Sequence, residues 1–172
     1  MRKVIYGGAC SLDGFVTDRD GRVDWLHFSK DAEAIMARSW AGTDTILLGR
    51  KTWEAASKHG GGGSMPGISA YVFSRTLTTA PKGAELVSDN AGEFVRALKH
   101  KPGKDIIVMS GGNLAASLLA AGVIDEVGFN IHPILLGAGT PALLDAGRRL
   151  KLDLIECRQL ASGCVFVNYK VM

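Results

Sequence analysis

Short apolar runs with strand character alternate along this chain with helical patterns, and that alternation restricts the architecture more than any other feature of the sequence. The runs fall at residues 3–8, 45–48, 70–74, 85–87, 105–109, 126–131, 152–160 and 164–171. Between them, Ala32, Ile35, Met36 and Trp40 share one helical face behind Ser29 as an N-cap. Asn90-Ala91-Gly92-Glu93 reads as a capping box that opens a helix through Phe94, Val95 and Leu98. A small-residue helix at 113–121 is stopped by Gly122. Strand-helix alternation brings successive strands back in parallel. The expected fold is therefore α/β, three layers deep (α/β/α), around a mostly parallel mixed sheet. The last two runs are joined only by Ala161-Ser162-Gly163, which predicts an antiparallel hairpin at the sheet edge. No linker or internal repeat interrupts the pattern, and one domain over residues 1–172 is expected.

The segment richest in chemistry is the run Thr45-Ile46-Leu47-Leu48 followed by Gly49-Arg50-Lys51-Thr52 and then Trp53-Glu54-Ala55-Ala56. A buried strand ends at a glycine that permits a sharp turn, and Thr52 stands where a helix N-cap belongs. Free N–H groups and two cations then meet at one spot, a site suited to phosphate or pyrophosphate. The alternative is an ordinary strand-to-helix turn with a solvated Arg-Lys pair. Two further strands end in similar chemistry: one in Ser74-Arg75, the other in Ser110-Gly111-Gly112-Asn113-Leu114. The first strand runs into Ser11-Leu12-Asp13-Gly14-Phe15. The dinucleotide fingerprint Gly-x-Gly-x-x-Gly is absent, since Gly7-Gly8-Ala9-Cys10 occupies its place. The run Gly60-Gly61-Gly62-Gly63 lacks the Gly-Lys-Ser/Thr ending of a phosphate loop and reads as a flexible connection. Phosphates of a dinucleotide would have to rest on different elements.

These segments, in this order, resemble the dihydrofolate reductase-like superfamily. They are most similar to the reductase (C-terminal) domain of the bifunctional deaminase/reductase of riboflavin biosynthesis. The resemblance covers the chain from Val4 to about Tyr169. It implies an NADPH-dependent reductase acting on a small heterocyclic or sugar-imine substrate of the 5-amino-6-(5-phosphoribosylamino)uracil type. The alternatives are a dihydrofolate or pteridine reductase, or a nucleotide-binding protein of the same fold without catalysis. It further implies that pyrophosphate lies between Gly49, Arg50, Lys51 and Thr52 on one side and Gly111, Gly112, Asn113 and Leu114 on the other. Ser74 and Arg75 would sit beside the 2′-phosphate, and Ala9 beside the cofactor at the first strand. A cis peptide is implied at Gly111–Gly112. Asp13 becomes the proton handler at the nicotinamide end, with Asp31 or Glu33 in the position of the carboxylate that grips a pterin. Each also has a plainer reading: a turn-forming Asp before Gly, and acids favoured by a helix dipole. His132 and Gly137 would flank the substrate. A homodimer is implied too, and Val165, Phe166 and Val167 are expected to form an apolar strand at the C-terminal edge that needs covering.

Composition excludes several classes. A net charge of +3, without Lys/Arg runs longer than a pair, does not suit a nucleic-acid partner. Cys10, Cys157 and Cys164 are odd in number and contain no Cys-x-x-Cys pair, which fits reduced thiols in the cytoplasm. The longest mostly apolar stretch, 114–124, is about half a membrane span, and residues 4–6 are too short for a signal-peptide core. Neither a membrane partner nor a processed leader is expected. His27, His59, His100 and His132 show no metal-ligand spacing, so no resident metal is expected. Without His-x-Glu and Pro-Cys-x-x-Cys there is no zinc deaminase site, and without Gly-x-Ser-x-Gly no hydrolase elbow.

Overall fold

The computed structural model describes residues 1–58, 65–80 and 82–172. Among them the elements run β1 (Val4–Ser11), β2 (Phe15–Thr17), α1 (Lys30–Ala41), β3 (Thr43–Gly49), α2 (Arg50–Lys58), β4 (Ser69–Phe73) and β5 (Glu85–Val87). They continue with α3 (Ala91–Lys99), β6 (Asp105–Met109), α4 (Gly112–Ala120), β7 (Glu126–His132), β8 (Thr140–Pro141), β9 (Leu152–Gln159) and β10 (Val165–Val171). His59 and the glycine run at 60–63 lie outside the described residues.

The strands form an eight-stranded sheet in the order β5-β4-β3-β6-β1-β7-β10-β9. Pairings from β5 across to β7 are all parallel, while β10 is antiparallel to both β7 and β9. The parallel strands therefore end together on one rim of the sheet, where ligands bind in open α/β folds. Alternation along the central strands sorts the core into two layers. Leu47, Tyr6, Ile106 and Val108 face Val95, Leu98, Leu114 and Leu118 of α3 and α4. Ile46, Leu48, Ala70 and Val72 turn the other way, towards Trp40 of α1 and Trp53 of α2. Beside them, Ala32 and Ile35 of α1 pack on Leu160 and Cys164 of the C-terminal hairpin. Leu118 is wholly buried, and trimming it to alanine would cost about 2–5 kcal/mol. This is the expected three-layer α/β/α arrangement with a mixed, mostly parallel sheet and an antiparallel β9-β10 hairpin.

The capping box reads correctly in its first half: the Asn90 side chain accepts from the Glu93 N–H at 3.2 Å. The Glu93 carboxylate pairs instead with Arg96. Ser29 is the N-cap residue of α1, but its hydroxyl donates to Asp31 rather than closing the cap itself. Two expectations change. Helix α2 starts at Arg50, so Thr52 lies inside its first turn and is not the N-cap. The apolar strand Val165-Phe166-Val167 is not an edge, because β10 is flanked by β7 and β9; the edge is β9 itself.

Candidate cofactor and substrate site

Two strand-to-helix turns meet at the carboxyl rim. Strands β3 and β6 are neighbours, so the start of α2 and the start of α4 lie side by side. The Gly111 N–H donates to Thr52 Oγ1 at 3.3 Å, joining the two turns directly. Gly49 allows this approach: a Cβ there would lie 2.7 Å from Ser110 Oγ. Its value is closeness rather than a left-handed backbone, since its φ is not positive. Two helix N-termini with unshared N–H groups make an electropositive ledge suited to a pyrophosphate.

The cations around this ledge are not equivalent. Arg50 is turned back on Glu54, with Nη1 2.9 Å from Oε1. Lys51 and Arg75 are exposed and form no ion pair among the described residues. Ser74 is buried, and its hydroxyl accepts from the N–H groups of Thr76 and Leu77 at 3.2 and 3.1 Å. It shapes the turn that presents Arg75. The glycine pair also divides. A Cβ on Gly111 would meet nothing within 4 Å, whereas one on Gly112 would strike Leu144 Cγ at 2.6 Å. Gly111 therefore offers open backbone, while Gly112 is glycine so that the loop after β8 can lie over α4. The cis peptide expected between them is absent: every described peptide bond is trans, and Gly111 has extended φ and ψ of −67° and 170°. Asn113 is exposed, and the Leu114 side chain belongs to the core, leaving only its backbone towards the rim.

On β1, Ala9 is half-buried and pairs with Asn130 of β7. Cys10, next to it, is buried, and burial lifts its thiol to about 11, so it packs as a protonated group. The turn beyond is tied to the loop after β7. Asp13 accepts from Ser11 Oγ at 2.6 Å, from the Leu136 N–H at 3.2 Å and from the Gly137 N–H at 2.7 Å. The Ser11 bond, followed by those from the backbone, holds the Asp13 carboxyl below its ordinary range. Gly137 supplies the positive φ of +70° that aims its N–H at this carboxylate. Gly139 passes so close to β2 that a Cβ would lie 1.9 Å from the Thr17 carbonyl oxygen.

Asp31 has a parallel arrangement. Its carboxylate accepts from the Ser29 hydroxyl, from the Ala161 N–H at 2.8 Å and from the Ala32 N–H at 3.0 Å. The Ser29 bond leads these in lowering its carboxyl from the ordinary value. Both candidate proton handlers are thus held ionised and spent on backbone N–H groups, which suits positioning better than proton donation. Glu33, the alternative, is exposed on α1.

His132 closes β7 and is wholly buried. Trp25, His27 and Phe28 stand edge-on to its ring, with centroids 5.3, 5.0 and 6.0 Å away. Burial, and then the nearby His27, keep His132 below the usual imidazole value, so it is neutral near pH 7. Its ring has no exposed surface, and the aromatic side chains around it cover it. Trp25 and Phe28, part of the wall around it, were not picked out from the sequence; the aromatic cluster in residues 25–28 was the available signal. A surface hollow of about 430 Å³ lies at the opposite rim, bordered by Met1, Arg2, residues 99–103 and Asp105. Arg2 and Lys99 are engaged there, with Asp44 and Asp125, and the hollow adjoins the carboxyl end of α3 rather than a helix start.

Residues 2–166 match the model of the RibD C-terminal domain. An uncharacterized protein of Bacillus subtilis (strain 168), YyaP, is 32% identical over 98% of this chain and 95% of its own length. The crystal structure of a putative riboflavin biosynthesis protein from Shewanella sp. PV-4 superposes with a TM-score of 0.81 at 24% identity, covering 100% of this chain and 99% of that one. A diaminohydroxyphosphoribosylaminopyrimidine deaminase/5-amino-6-(5-phosphoribosylamino)uracil reductase from Thermotoga maritima gives 0.72 at 16% identity, covering 99% of this chain and 57% of its own. At these identities the two structures speak for the fold, whereas the family model spans almost the whole chain. The chain belongs to the RibD C-terminal domain family.

Proposed function

We propose that this chain is an NADPH-dependent reductase of a small heterocyclic or ribosylamino-pyrimidine substrate, of the kind reduced in riboflavin biosynthesis. The observation that carries the reading is the ledge formed by the starts of α2 and α4, joined through Gly111 and Thr52, with Lys51 and Arg75 exposed nearby. The residues fit the cofactor's charge: N–H groups and the open backbone at Gly111 suit the pyrophosphate, and a guanidinium at Arg75 suits a 2′-phosphate dianion. A bound dihydronicotinamide would supply a hydride to an electrophilic carbon of the substrate. The chain's part is to hold the reactants together: the β1 turn and the loop at 134–139, clamped by Asp13, shape the mouth in which they meet. A homodimer belongs to the same reading.

The test is cofactor discrimination by titration. NADPH is expected to bind at least about tenfold more tightly than NADH, or about 1.4 kcal/mol. Arg75→Ala should narrow that gap without changing NADH affinity. Equal dissociation constants for the two cofactors would remove the 2′-phosphate assignment. The engagement of both Asp13 and Asp31 favours a second reading, a nucleotide-binding protein of this fold without turnover. Cofactor oxidation with a panel of pyrimidine and pterin acceptors separates the two.

A further inference from the structure

Three side chains far apart in sequence meet beside the C-terminal hairpin. One ring nitrogen each from His27 and His132, and Sγ of Cys164, lie within 4.8 Å of one another. The sheet accounts for two of them: β10 runs antiparallel to β7 with Val165 opposite Ile131, so the next step of the ladder sets Cys164 against His132. His27 arrives on the segment between β2 and α1, with Nε2 3.3 Å from the Ser162 carbonyl oxygen in the β9-β10 turn. Cys164 and His132 are wholly buried, and His27 is exposed.

An independent observation points to a ligand. His132 Nδ1 and Asn130 Oδ1 are buried polar atoms with no hydrogen-bond partner, while Asn130 Nδ2 faces His132 Nε2 at 3.4 Å. Turning the Asn130 amide by half a rotation presents Oδ1 to Nε2. The imidazole then carries its proton on Nε2 and donates it to Asn130, and Nδ1 becomes a bare lone pair. That is the arrangement by which an outer hydrogen bond prepares a histidine to ligate a metal. The unpartnered His132 Nδ1 is then accounted for as a lone pair open to a ligand.

We propose that His27, His132 and Cys164 bind one divalent transition-metal ion of the zinc type, with a fourth position open to water. A thiolate and two imidazoles suit a borderline-soft ion and not magnesium or calcium, which require oxygen ligands. Bond lengths of about 2.0–2.3 Å place tetrahedral ligand atoms about 3.3–3.8 Å apart. The cluster therefore closes by a small inward shift, and His27, exposed on a connecting segment, is the ligand able to make it. Binding releases the Cys164 thiol proton to solvent as the sulfur–metal bond forms. The ion would tie the segment entering α1 to the end of the sheet, fixing Trp25 and Phe28 around His132.

The experiment uses the full chain without a histidine tag, stripped with a chelator and titrated with Zn²⁺ against a chromophoric competitor. Co²⁺ serves as the spectroscopic probe. One equivalent of Zn²⁺ should bind at micromolar concentration or tighter, raising the melting temperature, and Co²⁺ should give a thiolate charge-transfer band. Cys164→Ser should abolish the band and weaken binding about 100-fold, whereas Cys157→Ser, an exposed thiol on β9, should change neither. Where Cys164→Ser does not fold, His27→Ala decides, with an expected loss of at least about tenfold. Substoichiometric binding by the wild type, or stoichiometric binding that survives the deciding substitution, overturns the proposal.

Discussion

Asp13 is exposed, yet its two oxygens take three hydrogen bonds, from Ser11 Oγ and from the N–H groups of Leu136 and Gly137. An asparagine at this position would keep the size but exchange one acceptor for an amide donor aimed at donors. Asp13→Asn should therefore loosen the loop at 134–139 and lower turnover, while leaving the phosphate ledge on α2 and α4 intact. The expected result is a fall in kcat with the NADPH Kd changed less than about twofold. A parallel loss in Kd would show that the loop also holds the cofactor. The pH dependence follows from the lowered carboxyl. A depressed folded-state pKa adds stability that is present above the ordinary carboxylate range and is lost as pH falls through the lowered value. The melting temperature of Asp13→Asn should accordingly lie below that of the wild type at neutral pH, with the gap closing in acid. A gap that is constant across that range would mean that ionisation is not the source.

At the scale of the element, β1 carries adjacent glycines with opposite obligations. Gly7 lies against Gly128 of β7, and a Cβ on it would come within 1.8 Å of the Gly128 carbonyl oxygen, a backbone atom. A Cβ on Gly8 would meet nothing within 4 Å. Gly7→Ala should cost about 3 kcal/mol or more by forcing the central strands apart, while Gly8→Ala should stay within about 0.5 kcal/mol. Denaturant unfolding of the two variants checks both expectations, and similar midpoints would refute the close-approach account. The same strand shows what was legible in sequence. Its apolar start was clear, but Gly7-Gly8-Ala9 reads as a strand ending, and only pairing with β7 carries it on to Ser11. The short β2 and β8 are set by Phe15–Pro141 and Thr17–Thr140 pairing, and segments of 3 and 2 residues have no period to read. The phosphate-type turns were legible because each is contiguous: a strand, a glycine, a helix start. Thr52 lies three residues past the N-cap position because a helix can begin directly from Gly49 without a side-chain cap. The grouping of Trp25, His27 and Phe28 around His132 was not legible. Nothing local relates a connecting segment near the N-terminus to the end of β7, and only tertiary packing joins them.

Across the whole molecule, the sheet ends in two unlike edges. On one side β5 has 3 residues, a length that offers little to another chain. On the other, β9 has 8 residues and exposes apolar side chains, with Leu152, Leu154 and Ile155 45%, 58% and 51% exposed. A long apolar edge with unpaired backbone groups is costly to leave bare, and a second copy of the chain presents the matching edge. The dimer expected from the family resemblance is therefore predicted to form through β9, not through β10, whose Val165, Phe166 and Val167 already lie between two strands. Light scattering at micromolar concentration should give twice the chain mass. Leu154→Lys, which places a charge on that edge, should shift the protein to monomer. The ledge at the starts of α2 and α4 lies across the sheet among β3 and β6, separated from β9 by β1, β7 and β10. NADPH affinity per chain should consequently be the same in the Leu154→Lys monomer. A wild-type protein already monomeric at that concentration would exclude the edge as a self-association surface, and a monomeric variant with weakened NADPH binding would show that the cofactor site depends on the partner copy.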